Sequence, residues 1–309
     1  MDASFLDLQI GAIAQDLEPS ESKKEAAQRS QRAIREALDS GNMSARIIGD
    51  YLSGSYARYT AITPLDDVDI IFLIDPSEWK RPFFSDKPEP LRVLETFARA
   101  IRLRYEQSRV ETQRRSVGLK MHHLDIDVVP AIETEREDYV LIPDRKNDEW
   151  ILTAPKVHAA LATAVNGKRH GLFKPLVKVL KGWNSQLREG ARLKSFTIET
   201  IALRVFQDTP FDSLFTGSLL FFDFLCSRFN EPTVFQWNTD FDVGLAWLSF
   251  GYELLDSAGT GSNLLANLSE ERRAAFLGEA LRTRDLLVKA DNARSEQSCE
   301  GYLYRALHT

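Results

Sequence analysis

The stretch that decides the fold is residues 54–74, GSYARYTAITPLDDVDIIFLI. From Val68 onward nearly every residue is apolar and β-branched or aromatic, which predicts a buried strand. Because side chains alternate across a strand, Asp67 and Asp69 are expected to share one face while Val68 lies on the other. Two carboxylates at the start of an apolar strand repel each other. A divalent cation between them removes that repulsion, and oxygen ligands suit Mg²⁺ or Mn²⁺.

The same stretch opens with a Gly-Ser pair that predicts a phosphate-binding turn. Gly54 and Ser55 are expected where a turn leads into a short helix. The first N–H groups of a helix have no partner within it, and together with a hydroxyl they can bind a phosphate. A lone Gly-Ser pair has little specificity, so this hypothesis depends on its neighbours in the sequence.

A second acidic strand follows later in the chain. In residues 123–130, HLDIDVVP, Asp125 and Asp127 alternate with apolar residues, and Pro130 is expected to end the strand. If this strand lies beside the first, Asp127 meets the two earlier carboxylates. Such a trio can hold two metal ions about 3.5–4 Å apart, which activate an attacking hydroxyl and stabilise a leaving pyrophosphate. A lone D-x-D is usually a turn or a strand end. The combination of Gly-Ser, D-x-D and a later acidic strand is far more specific.

These motifs resemble a known family. The chain is similar to nucleotidyltransferases of the polymerase-β superfamily, and more narrowly to the bacterial CD-NTases, which are related to cyclic GMP-AMP synthase and oligoadenylate synthase. The resemblance lies in residues 54–70, in 124–130, in K-V-L-K-G-W at 178–183 and in K-S-F at 194–196 with Glu199. It therefore covers roughly residues 45–205 at four separate places.

The resemblance implies an α/β (α+β) nucleotidyltransferase core with a mixed sheet and a helical second lobe, with nucleotide bound in the cleft between them. We assign residues 1–150 to the catalytic core with an N-terminal bracing helix and residues 151–309 to the helical lobe. The implied function is to join NTPs into a cyclic di- or trinucleotide second messenger in anti-phage signalling, with release of pyrophosphate. An enzyme that makes linear oligonucleotides, or that modifies tRNA, a protein or a small molecule, shares the same D-x-D chemistry.

The candidate site contains three metal ligands and four triphosphate contacts. The catalytic and metal-binding candidates are Asp67, Asp69 and Asp127, with two Mg²⁺ ions and Mn²⁺ as a substitute. The triphosphate would be held by Gly54, Ser55, Lys181 and Ser195. Spacing alone predicts that Lys174, Lys178 and Lys181 form a solvated helix face and that Ser195 caps a helix. The triphosphate role of Lys181 and Ser195 comes from the resemblance.

Composition limits the class of partner. The net charge is −6, whereas proteins that grip polynucleotides are typically basic, so polynucleotide binding is not expected. No apolar run approaches the ~18 residues of a membrane span, and no membrane partner is expected. Two cysteines fit a reducing compartment. The resemblance implies a bacterial cytoplasmic setting, NTP substrates that include ATP and a co-encoded effector that responds to the product. It leaves room for a regulatory protein partner.

Three further expectations concern local structure. Arg58 is expected to be an exposed loop arginine. Gly118 is expected at or near the turn of a hairpin within residues 108–129. Helical periodicity predicts six helices in the second half, at residues 155–166, 173–188, 195–207, 214–229, 243–258 and 270–290.

Overall fold

The computed structural model describes residues 2–43, 46–65, 67–80, 82, 85–121, 124–227, 229, 234–235 and 253–307. The chain divides into two compact units, one of residues Pro19–Ala159 and one of Met1–Glu18 together with Ala160–Thr309. The boundary falls within a single helix, Pro155–Lys168.

The first unit is built on a mixed sheet. Within the described residues the sheet has seven strands: β1 (Ile47–Leu52), β2 (Asp67–Ile74), β3 (Arg109–Thr112), β4 (Val117–Lys120), β5 (Asp125–Glu133), β6 (Val140–Asp144) and β7 (Glu149–Thr153). The order is β1-β2-β5-β4-β3, with β6 paired to β5 and β7 paired to β6. The central pair, β2 and β5, is parallel, and every other pair in this sheet is antiparallel.

One face of the sheet packs on helices. These are α2 (Glu21–Leu38) and α4 (Pro90–Arg104), with a one-turn helix α3 (Gly54–Ala57), a π-helical turn (Asp39–Met43) and a 3-10 turn (Pro76–Glu78) in the connections. Val68, Ile70 and Phe72 on β2 share one core with Phe97 of α4. Full burial of each such side chain contributes about 1.5–3 kcal/mol. Because alternate residues of β2 are bound into this core, Asp67 and Asp69 are directed to the opposite face.

The expectation that Pro130 ends its strand is wrong, because β5 continues through it to Glu133. Pro130 pairs with Phe72 on the parallel side. On the other side it falls between two partners, since β4 pairs only as far as Val128 and β6 begins at Ile132. A residue without an N–H is accommodated at this interruption in the antiparallel ladder.

The second unit is helical. It contains α1 (Ala3–Asp16), α5 (Pro155–Lys168) from Ala160 onward, α6 (Phe173–Gln186), α7 (Ser195–Phe206), α8 (Leu214–Ser227), α9 (Glu270–Asp291) and α10 (Glu296–Leu307), with short strands β8 (Val234–Phe235) and β9 (Glu253–Leu254). At its centre the indole N–H of Trp183 donates to Oγ1 of Thr283 at 2.9 Å. The predicted fold class, a mixed sheet with helices and a helical second part, is confirmed.

The first helix, α1, belongs to the helical unit, whereas the sequence-based division assigned residues 1–150 to the catalytic core. Leu6, Ile10 and Ala14 of α1 are buried in the core of the helical unit. The helix that was expected to brace the core is α2, where Gln31 donates to Asp50 of β1 at 2.8 Å. The periodicity of a helix shows that one face is buried, but it does not show which core receives that face.

Five of the six predicted helices are confirmed to within a few residues by α5, α6, α7, α8 and α9. Most of the predicted helix at 243–258 lies outside the described residues. The predicted helix is wrong for residues 253–258, because Glu253–Leu254 forms β9 and a turn begins at Ser257.

Candidate functional site

The Gly-Ser turn packs directly on the first acidic strand. After β1 ends at Leu52, the N–H of Ser53 donates to the carbonyl of Asp69 at 2.8 Å. Gly54 then begins α3 with φ of 64°, in the left-handed region that favours glycine. A Cβ at Gly54 would lie 1.9 Å from Oδ2 of Asp69. Only a glycine therefore allows this turn and this carboxylate to lie so close together.

The two acidic strands lie side by side, as the sequence predicts. In the parallel register of β2 and β5, Asp69 is paired with Asp127 and Asp67 with Asp125. Asp67 is exposed, whereas the other three carboxylates are partly buried. Asp125 has a neighbour of opposite charge, since its Oδ2 lies 3.5 Å from Nζ of Lys120. Asp69 and Asp127 are therefore the central carboxylates of the group.

These carboxylates interact electrostatically. Burial, followed by the negative charges of Asp127 and Asp67, raises the pKa of Asp69 to about 6. The pKa of Asp127 is raised by burial and by the charge of Asp67, although hydrogen bonding from Ser116 and Gln113 lowers it in part. Carboxylates held near one another and away from water favour a bound cation, which would relieve both effects.

A cation from the protein already faces this group. Arg58 follows α3 and is only 8% exposed, so the expectation of an exposed loop arginine is wrong. Its positive charge lowers the pKa of Asp69, against the larger effects that raise it. The sequence places Arg58 four residues after Gly54 but does not show that the turn directs it inward.

The carboxylates offer oxygen donors of the kind that divalent metals such as Mg²⁺ prefer. In the part of the chain that the structure describes, no three Cys, His, Asp or Glu side chains form a ready cage for one ion. Mg²⁺ is usually bound by one or two carboxylates, with water and substrate phosphates in its remaining positions. Asp69 and Asp127, which are paired across β2 and β5 and both have a raised pKa, fit that mode of binding.

The remaining candidates lie on consecutive helices of the other unit. Lys181 is on α6 and is 3% exposed, and Lys178 on the same helix is paired with Glu18. The expected solvated lysine face is therefore wrong for these two residues. Ser195 is exposed and is the first residue of α7, so the N-cap is Lys194 and not Ser195 as expected. A boundary of this kind shifts by one residue without changing which side chains lie at the helix start.

The comparison with known families decides the assignment. The family described as the Second Messenger Oligonucleotide or Dinucleotide Synthetase domain, SMODS, matches residues 6–166, just over half of the chain. The chain belongs to the SMODS family. The matched region contains Gly54, Ser55 and all three aspartates.

Two relatives show how this SMODS-family chain compares in sequence. It is 34% identical over 211 residues to a protein of Acinetobacter sp. named cyclic AMP-AMP-AMP synthase, covering 65% of this chain and 57% of that protein. It is 25% identical over 184 residues to a probable cyclic nucleotide synthase of Bacillus cereus, covering 50% of this chain and 55% of that protein. The aligned region thus spans little more than half the length of these relatives.

Solved structures share the fold of the SMODS-family chain. CdnC of Escherichia coli MS 115-1 has a TM-score of 0.79 and 22% identity in its complex with HORMA-deltaN, covering 98% of this chain and 97% of that chain. The structure of CdnC with ATP has the same TM-score at 20% identity and covers 98% of both chains. None of the helices in the described residues is both long enough and apolar enough to span a membrane.

Proposed function

We propose that this chain is a metal-dependent nucleotidyltransferase that joins NTPs into a cyclic oligonucleotide and releases pyrophosphate. The observation that supports it most is the parallel register that sets Asp69 beside Asp127, with Asp67 on the same face and the Gly54 turn against Asp69. The family match over these residues supports the same chemistry.

The reaction is the attack of a ribose hydroxyl of one nucleotide on the α-phosphorus of another. A new phosphodiester bond forms, the α–β phosphoanhydride breaks, the hydroxyl proton is lost and pyrophosphate leaves. Each further attack of this kind adds one nucleotide, and a last attack within the linear product, by its free hydroxyl on the α-phosphorus of its terminal triphosphate, closes the ring. Every one of these steps releases one pyrophosphate. Bound Mg²⁺ would lower the pKa of the attacking hydroxyl and neutralise charge on the leaving pyrophosphate.

The residues of this chain supply binding and orientation. Asp67, Asp69 and Asp127 would hold the cations, and the N–H groups at Gly54 and Ser55 would bind phosphate oxygens. Lys181 and Ser195 would contact the triphosphate, a role that rests on the resemblance to the CD-NTases. Arg58 would favour the ionised form of Asp69, because its charge lowers the pKa of that carboxyl against the larger effects that raise it.

ATP is the first substrate to test, and a cyclic trinucleotide of AMP is the first product. The support comes from the relative named cyclic AMP-AMP-AMP synthase and from CdnC, which was solved with ATP. Because CdnC was also solved with HORMA-deltaN, we include a regulator of that kind among the proposed partners, together with an effector that responds to the product.

The test is an incubation with each radiolabelled NTP, alone and in mixtures, with Mg²⁺ or with Mn²⁺. Phosphatase treatment and chromatography follow, with the double variant Asp67→Asn, Asp69→Asn as the blank. The matched control is Glu111→Gln, which removes an exposed carboxylate paired with Arg109 on β3. We expect a phosphatase-resistant product that is absent from the blank and present in the control. Labelled tRNA or phosphatase-sensitive chains in place of that product would identify another nucleotidyltransferase.

A further inference from the structure

The glycine that was expected at or near a hairpin turn lies inside a strand, and its position is informative. Gly118 belongs to β4 and is paired with Asp127 of β5. The turn of the hairpin is formed by residues 113–116, so Gly118 lies near the turn but within the strand that follows it. Since its φ is outside the left-handed region, no backbone conformation requires glycine here. A glycine within a strand often marks the close approach of another group.

That group is the side chain of Gln113. A Cβ at Gly118 would lie 2.3 Å from Nε2 of Gln113 and 3.5 Å from Oδ1 of Asp127. The missing side chain therefore leaves the space in which the Gln113 amide reaches the carboxylate. Any larger residue at position 118 would push the amide away from Asp127.

The hairpin turn orients this amide. The N–H of Gln113 donates to the carbonyl of Ser116 at 2.8 Å, and Oγ of Ser116 donates to Oε1 of Gln113 at 3.2 Å. A glutamine amide has one acceptor side and one donor side. With the acceptor side taken by Ser116, the NH₂ group is directed to Gly118 and Asp127. Hydrogen bonding from Gln113 also lowers the pKa of Asp127, which favours its ionised form.

We propose that Gln113 is a positioning residue for Asp127, and that Gly118 provides the space for it. Its NH₂ group fixes the orientation of a carboxylate that would bind the catalytic cation, so this inference rests on the proposed function. When a residue that hydrogen-bonds to a metal ligand is removed, the affinity for the metal typically falls by about 10–100-fold. Gln113 is itself exposed, so the core does not depend on it.

The test measures Mn²⁺ binding to the nucleotide-free protein by electron paramagnetic resonance, which requires no turnover. The variants are Gln113→Met, which keeps the length of the side chain without its donor, and Gly118→Ala, which displaces the amide. The control is Glu111→Gln on the same hairpin, and Asp127→Asn is the reference for loss of the ligand itself. Circular dichroism and thermal melts check that each variant is folded.

We expect Gln113→Met to weaken Mn²⁺ binding by about 10-fold or more, with Gly118→Ala in the same direction and Glu111→Gln unchanged. In the NTP assay, Gln113→Met should raise the metal concentration needed for half-maximal rate and leave the KM for NTP unaltered at saturating metal. Unchanged Mn²⁺ affinity in folded Gln113→Met, with Asp127→Asn impaired, would overturn the role of Gln113 alone. Unchanged affinity in Asp127→Asn would overturn the metal site and this inference with it.

Discussion

Gly54 packs directly against the carboxylate of Asp69. A Cβ at position 54 would lie only 1.9 Å from Oδ2 of Asp69, so no side chain fits between them. The Gly-Ser turn and the first acidic strand are therefore one packed unit. Any change at Gly54 is transmitted directly to Asp69.

Gly54→Ala should abolish activity while the protein remains folded. The new methyl group displaces the Asp69 carboxylate, and a φ of 64° adds about 1–2 kcal/mol of backbone strain. The measurements are the initial rate of product formation and a thermal melt. Gly278→Ala is the control, because nothing lies within 4 Å of a Cβ there. A Gly54→Ala enzyme that keeps more than half of the wild-type rate would contradict the contact.

Asp69→Asn should stabilise the metal-free protein and remove its activity. The ionised carboxylate is unfavourable in this site, because burial and the neighbouring aspartates raise the pKa of Asp69 to about 6. A neutral amide avoids that penalty, so we expect a gain of roughly 1–2 kcal/mol in the free energy of unfolding at pH 8. Urea denaturation in the presence of a chelator measures it. A variant less stable than wild type would show that the carboxylate is favourable where it lies.

The advantage of Asp69→Asn should depend on pH. A folded-state pKa above the unfolded value means that the native protein binds more protons between pH 3.8 and about 6. Wild-type stability therefore falls, relative to the variant, as pH rises through that window, and the difference is constant above it. Denaturation curves of both proteins at several pH values check this. If the stability advantage of Asp69→Asn over wild type grew as pH fell, the raised pKa of Asp69 would be contradicted.

Asp144→Asn should destabilise the sheet unit. Its buried carboxylate accepts hydrogen bonds from Arg114 and Arg115, which lower the pKa of Asp144 to about 2. The resulting stabilisation is present above about pH 4 and is lost as pH falls through 2. We expect a loss of roughly 1–3 kcal/mol at pH 7. Asp86→Asn, which breaks the exposed pair with Lys87, is the control and should change stability by less than about 1 kcal/mol. Equal effects of the two substitutions would exclude a special role for Asp144.

The sequence was most informative where apolar periodicity is strong. The alternation around Asp67, Asp69 and Asp127 predicted two strands with their carboxylates on one face, and the structure confirms that these strands are adjacent. The helices α5 to α9 were predicted for the same reason. A period of two or 3.6 residues is a local property, so it can be read without knowledge of the tertiary fold.

The supporting residues could not be predicted in this way. The approach of Gln113 to Asp127 depends on which residues close a hairpin, and the burial of Arg58 depends on the direction of a turn. Lys178 is buried because Glu18, distant in sequence, pairs with it. The apolar face of α1 could pack on either of the two cores, and it packs on the core of the helical unit. Each of these features depends on tertiary contacts, which a local sequence pattern does not predict.

The most direct test of the central claim is the ratio of pyrophosphate released to ATP-derived nucleotide incorporated in the purified product. Closing a ring makes one phosphodiester bond per nucleotide, so a cyclic product requires one pyrophosphate for each nucleotide incorporated. A linear chain retains a terminal triphosphate and gives a ratio below one. We predict a ratio of one, with no product from the Asp67→Asn, Asp69→Asn double variant. A ratio below one with wild-type protein, or equal turnover by the double variant, would contradict the account.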